Sequence, residues 1–199
     1  MQNKDVAGVD LGNKLAGTTV LCYLNTDGHP EWKQSAKNKD ADAFLHRALH
    51  PLEVRAVFLD APLSLPGIYQ FGKPYEYYFY RQGDRQVKAM SPMFLAGLTA
   101  RAIRLKDQLS EHRGLSIFEA YPKALAEKLQ LQTIDYKGQK AAIPEVTQRI
   151  CQAGDLQPPA ERLPNWHHVD ALLALLTGLR WCNANHEVLG DPQEGAIFV

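Results

Sequence analysis

Apolar positions near the start of the chain fall in short runs separated by turn residues, a strand pattern. Val6 to Leu11 reads as a buried strand, with Gly8 allowing close approach of another backbone. Leu15 to Leu24, rich in Thr, Val, Tyr and Leu, reads as a second strand. Asn25, Thr26, Asp27 and Gly28 carry a turn signal, and Glu31 to Ser35 follows as a third, exposed strand. These three are expected to form an antiparallel meander. The spacing then becomes helical, with Ala41, Phe44, Leu45, Ala48 and Leu49 on one face of a segment from Asp40 to His50. Val54 to Asp60 (VRAVFLD) is a nearly continuous apolar run, as in a strand buried on both faces. Strand, helix and strand imply a right-handed crossover that returns parallel to the sheet.

The pattern is lost from 61 to 92, a stretch punctuated by Pro62, Pro66, Gly67, Gly72, Pro74, Gly83 and Pro92. A loop of this length in a compact domain is usually functional or mobile. Met93 to Arg113 reads as a long amphipathic helix and Ser116 to Tyr121 (SIFEAY) as a fifth strand. Helices are expected at Lys123–Leu129, Lys140–Ala153 and His167–Trp181, with a turn-rich connection at 157–164. The tail from Asn183 reads as loop, with a short strand at Ala196 to Val199. The order predicts one α/β domain: a mixed sheet with helices on both faces and an insertion at about 61–92.

Composition narrows the classes. A chain of 199 residues with 45% hydrophobic content fits one domain with a sizeable core. A formal net charge of zero argues against strong non-specific binding to nucleic acid and leaves room for a small basic groove. Cys22, Cys151 and Cys182 are widely spaced, with no CxxC pair, and read as reduced thiols rather than a zinc site or disulfide framework. MQNKDVAGVD has no signal-peptide apolar region, and Ala171–Leu179 is too short to span a bilayer. A cytoplasmic protein without membrane partners is expected.

The chemistry lies in the acids. Asp10, Asp60 and Glu119 stand at or near the C-terminal ends of three predicted strands, where open α/β sheets bind ligands. If those strands are parallel neighbours about 4.8 Å apart, the three side chains share one edge. Asp170, near the start of the last helix in HHVDALLALLTGLRW, is on the border of its packing face. Taken singly, an aspartate at a strand end is a turn or cap residue, and Asp170 is a first-turn helix acid. Glu119 in an apolar strand needs a partner. Two like charges ~4 Å apart at a dielectric of ~20 cost roughly 4 kcal/mol. A converging cluster therefore binds a cation or raises a pKa. All-oxygen ligation favours Mg²⁺ or Mn²⁺.

The motifs VAGVDLG, VFLDAPLSLPG, MSPMFLAGLTARAIRLKDQL, IFEAYPKAL, HHVDALLALLTGLRW and EGAIFV together resemble the domain of unknown function 429 family, predicted nucleases with an RNase H-like fold. The resemblance runs through nearly the whole chain in order, and DAPLSLP and FEAYPKAL are its most specific pieces. It implies a five-stranded sheet in the order 3-2-1-4-5, with Asp10, Asp60, Glu119 and Asp170 as metal-site acids. The final-helix DAL motif with its preceding histidines also resembles Holliday-junction resolvases of the same superfamily.

Other residues carry two readings each. His167, one helical turn before Asp170, is a general base or metal ligand, or a polar first-turn residue; the same choice holds for His168. The segment from 68 to 88 holds seven of the fifteen Phe and Tyr residues, followed by Arg81, Arg85 and Lys88. With Tyr77 and Tyr80 it suits stacking on unpaired bases beneath a lid, or an aromatic mini-core or homodimer contact. Lys14 and Lys123 are candidate phosphate contacts or plain surface lysines, and Arg101 and Arg104 read as surface charge. Two function classes follow. One is a Mg²⁺- or Mn²⁺-dependent nuclease hydrolysing DNA or RNA through the four acids. The other is a nucleotide-binding or phosphoryl-transfer protein, or a catalytically silent binding domain, on the same fold.

Overall fold

Residues 3–199 are described by a computed structural model. The meander forms from β1 (Val6–Asp10), β2 (Val20–Leu24) and β3 (Pro30–Gln34). The second strand is shorter than its apolar run predicts, because residues 14–17 turn first and Gly17 takes a φ of 73°. Helix α1 (Ala41–Leu49) is capped by Asp40, whose side chain accepts from the Asp42 and Ala43 amides at 2.8 and 3.1 Å. Strand β4 (Ala56–Asp60) follows.

The insertion contains two short helices, α2 (Ile68–Phe71) and α3 (Gln82–Gln86). The expected long helix is two: α4 (Pro92–Leu95) and α5 (Gly97–Arg113), broken at Ala96, whose φ of 33° lies outside the helical region. Gly114, at φ 64°, ends α5 in the left-handed conformation that glycine tolerates. Strand β5 (Ser116–Ala120) leads into α6 (Pro122–Lys128), α7 (Ile143–Ala153) and α8 (Trp166–Cys182). The tail adds β6 (Val188–Leu189) and β7 (Ile197–Phe198).

The sheet runs β3-β2-β1-β4-β5-β7-β6, with β1, β4, β5 and β7 parallel to one another. The expected order 3-2-1-4-5 is present, and two more strands extend that edge. The β7 strand lies within the predicted Ala196–Val199 strand; β6 has only two residues, too few to show a period.

Alternation splits the core. Val6, Phe58, Val20 and Ala120 pack with α6, α7 and α8 on one face, and Ala7, Val9, Leu59 and Leu21 pack with α1 and α5 on the other. Gly8 is where α8 meets the sheet. A Cβ there would lie 2.1 Å from the Leu175 amide nitrogen and 2.4 Å from the Ala171 carbonyl oxygen. The expected close approach of another backbone is that of α8, and it brings the first turn of α8 to the C-terminal ends of β1 and β4.

Candidate active site

Asp10 and Asp60 are register partners at the ends of the parallel pair β1 and β4, so their side chains leave the same face, toward α8. Asp10 is 8% and Asp170 4% exposed. Asp10 Oδ2 lies 2.6 Å from His167 Nδ1. Asp170 Oδ1 accepts from the Tyr136 hydroxyl at 2.5 Å, and its Oδ2 pairs with Lys137 Nζ at 2.9 Å. Asn165 caps α8 through the His168 amide, fixing the turn that presents His167 and Asp170 together. The His168 ring turns back to Asn165, 2.9 Å away, and is not part of the cluster.

Each acid's proton affinity reflects this crowding. Burial, then the charges of Asp170 and Asp10, push the Asp60 carboxyl well above the usual carboxylate range. Burial also raises Asp170, against the opposing pull of Lys137 and Tyr136. The hydrogen bond to Asp10 raises His167. Burial alone would lower Lys137, but the charges of Asp170, Asp60 and Asp10 outweigh it and raise it. The ammonium thus lies in the field of all three carboxylates.

Glu119 departs from the expected cluster. Its register partner is Leu59, not Asp60, so it leaves the opposite face of the sheet, and Ala120 takes the place beside Asp60. Both of its oxygens are taken by Arg81: Nη1 to Oε2 at 2.7 Å and Nη2 to Oε1 at 2.6 Å, with the Leu63 amide also donating to Oε2 at 2.8 Å. Arg81 is fully buried and also binds both oxygens of Asp84 and the Ser64 hydroxyl. Arg81, expected among substrate contacts, is therefore an internal counter-charge that substrate does not reach. Glu194 completes this knot, accepting from the Gly67 and Gln82 amides at 2.8 and 2.6 Å. Gly195 lies so close to Ser64 Oγ that a Cβ would stand 2.0 Å away.

The remaining candidates lie apart. Lys14 pairs with Asp40 at 3.1 Å, both about half exposed. Lys123 is exposed on α6. Tyr77 is 51% exposed, with the Arg85 guanidinium 3.6 Å from its ring centre. Tyr80 meets Phe94 edge-on at 6.4 Å, and Phe94 stacks on Phe79 at 5.7 Å. Tyr69, Phe71, Tyr78 and Phe79 keep 50–58% of their surface, so this segment is an open aromatic rim rather than a closed mini-core. Arg101, expected as surface charge, is nearly buried and bonds Asp42 at 2.7 Å and the Gly12 carbonyl at 2.6 Å, bracing the turn after Asp10. A cleft of about 210 Å³ is lined by Asp10, Asp60 and Glu119 together with the apolar Met90, Leu95 and Leu98.

Among the described residues, no three His, Cys, Asp or Glu side chains stand close enough to hold an ion as they are. Four acids do not share one centre. What fits a hard cation is the donor chemistry of Asp10, Asp60 and Asp170 on one face, with a lysine ammonium already drawn into their field. Sequence reading missed Tyr136, Lys137, Asp84 and Glu194. Only Glu194 was foreshadowed, in the EGAIFV motif. The strand alternation in SIFEAYP contained the signal that Glu119 and Ala120 face opposite ways.

The order and directions of β1 to β5 define an RNase H-like α/β fold. No family model and no curated protein matches the chain. Among solved structures it is similar to T. thermophilus RuvC in complex with Holliday junction substrate, at 18% identity over 90% of this chain and 96% of that one, with a TM-score of 0.45.

Proposed function

We propose that this protein is a Mg²⁺- or Mn²⁺-dependent nuclease, a member of the domain of unknown function 429 family. The observation that carries the reading is the register pair Asp10–Asp60 facing Asp170 on α8, with positive charge already drawn to it. Asp10, Asp60 and Asp170 would hold the ion, with His167 against Asp10. The ion would supply charge neutralisation at a phosphate and a more acidic water. Asp10 orients His167 through Nδ1 and raises its proton affinity, leaving Nε2 to take up or give a proton during hydrolysis. Arg101 braces the turn that follows Asp10 by donating to the Gly12 carbonyl. The exposed rings of Tyr77 and Phe94, with Arg85 on Tyr77, suit stacking and phosphate contact with an unpaired strand. Glu119 keeps the rim in place through Arg81 rather than serving as an open ligand.

The test is hydrolysis of single-stranded DNA, RNA, hybrids and junctions with each ion, beside Asp10→Asn. At least one substrate should be cut with either ion, and Asp10→Asn should lower the rate by about 100-fold or more. No cleavage of any substrate, or equal cleavage by the variant, overturns the proposal. Calorimetry in which ATP binds but no oligonucleotide does would instead favour a nucleotide-binding or phosphoryl-transfer role.

A further inference from the structure

Lys137 lies on the loop between α6 and α7, half exposed, and reaches back to Asp170, with its ammonium 2.9 Å from Oδ2. Its surroundings hold it there. Tyr136, next to it, donates to the other Asp170 oxygen and sets its ring edge-on to Trp166, the first residue of α8, at 5.6 Å. The Trp166 indole donates to the Gly138 carbonyl at 3.3 Å. The Asp135 carboxylate accepts from the Gln139 amide at 2.7 Å, and a Cβ on Gly138 would stand 1.9 Å from that carboxylate. Asp135 and Lys137 themselves take φ values of 65° and 61°, a conformation that L residues seldom adopt. Two strained non-glycine residues, braced from α8 on one side, place one ammonium among three carboxylates. Such strain persists only where surrounding contacts over-determine it, and it concentrates at functional and switching segments.

We propose that Lys137 is a tethered counter-cation of the Asp10–Asp60–Asp170 cluster, and that binding of a divalent ion expels it and releases the loop at 135–139. This rests on the metal reading above. The ammonium and a divalent ion seek the same carboxylate oxygens, and their like charges forbid sharing them at contact distance. The half-exposed lysine has a path out to water. A site whose open form is only partly populated binds more weakly in proportion to that population, so removing the tether strengthens ion binding.

Calorimetric titration with Mn²⁺ of the full chain, of Lys137→Met and of Lys137→Arg tests this, together with amide exchange at 135–139 before and after Mn²⁺. Lys137→Met should bind Mn²⁺ about 10-fold more tightly than the parent. Lys137→Arg, which keeps the charge, should stay near the parent. The parent loop should lose exchange protection when Mn²⁺ is added, and the Lys137→Met loop should not change. Equal or weaker binding by Lys137→Met overturns the tether and leaves the metal site standing. Tighter binding with an unchanged parent loop overturns the release. No Mn²⁺ binding by any of the three chains overturns the tether and the metal reading together.

Discussion

Asp60 has the most exacting position of any residue in the cluster. Among the described residues its carboxylate makes no hydrogen bond and no ion pair, while Asp10 has His167 and Asp170 has Tyr136 and Lys137. Burial and the neighbouring acids raise its proton affinity above that of the unfolded chain. A carboxyl raised on folding binds more protons folded than unfolded. Its stabilising contribution is complete below the ordinary carboxyl range and is lost as pH rises through the raised value. Asp170 and His167 shift in the same direction. Without added divalent ion, these three shifts should make the protein melt lower as pH rises above the ordinary carboxyl range, while His168, lowered by burial, pulls the other way through the imidazole range. Asp60→Asn should flatten that fall and melt higher than the parent at the upper end, by about 2–4 °C for each kcal/mol of repulsion relieved. Thermal melts across the range measure it, and parallel curves for the two chains would refute it.

At the scale of elements, two contacts decide where the site forms. Gly8 lets the backbone of α8 reach β1, which sets His167 and Asp170 over the strand ends. Arg81 ties α3 to β5 through Glu119 and to its own helix through Asp84. It is fully buried, so its removal would leave two buried carboxylates without their counter-charge. Arg81→Ala should lose about 3–5 kcal/mol of stability, read from urea denaturation. Glu119→Gln should lose less, because Asp84 then still neutralises the guanidinium. Equal losses would mean that the pair, rather than the isolated charge, carries the energy. This network explains the acid in SIFEAY without a metal: the partner that Glu119 needed is an arginine from the insertion.

The whole molecule carries no net charge, with 22 basic and 22 acidic residues. Several of the cations are already engaged: Arg81, Arg101 and Lys137 in ion pairs within the fold, and Lys14 with Asp40. The balanced charge leaves no excess of cations for phosphates, whereas the aromatic rim offers open ring faces. Oligonucleotide affinity should therefore depend weakly on salt, with a log–log slope no steeper than about −3. Phe94→Ala should weaken binding at every salt concentration without changing that slope. Fluorescence anisotropy over a salt series measures both, and a steep slope would point to a basic groove instead.

Much of this arrangement was legible along the chain because its causes are local. Period-two apolar runs, the Asp40 cap and the helical spacing of 41–49 are set by neighbouring residues, so the meander, the crossover and the parallel strands could be read directly. So could Asp10, Asp60 and Asp170, which stand where strands or helices begin and end. The break at Ala96, the two-residue β6 and the course of the insertion were not legible, because they depend on contacts with distant segments. Tertiary structure alone decided which acids meet. Register turned Glu119 to the face away from Asp60, a buried arginine from the insertion met it there, and a lysine from the loop before α7 came to Asp170. Charge interactions act through space and depend on which side of a sheet a residue leaves, so a sequence can name the carboxylates while only the folded chain selects their partners.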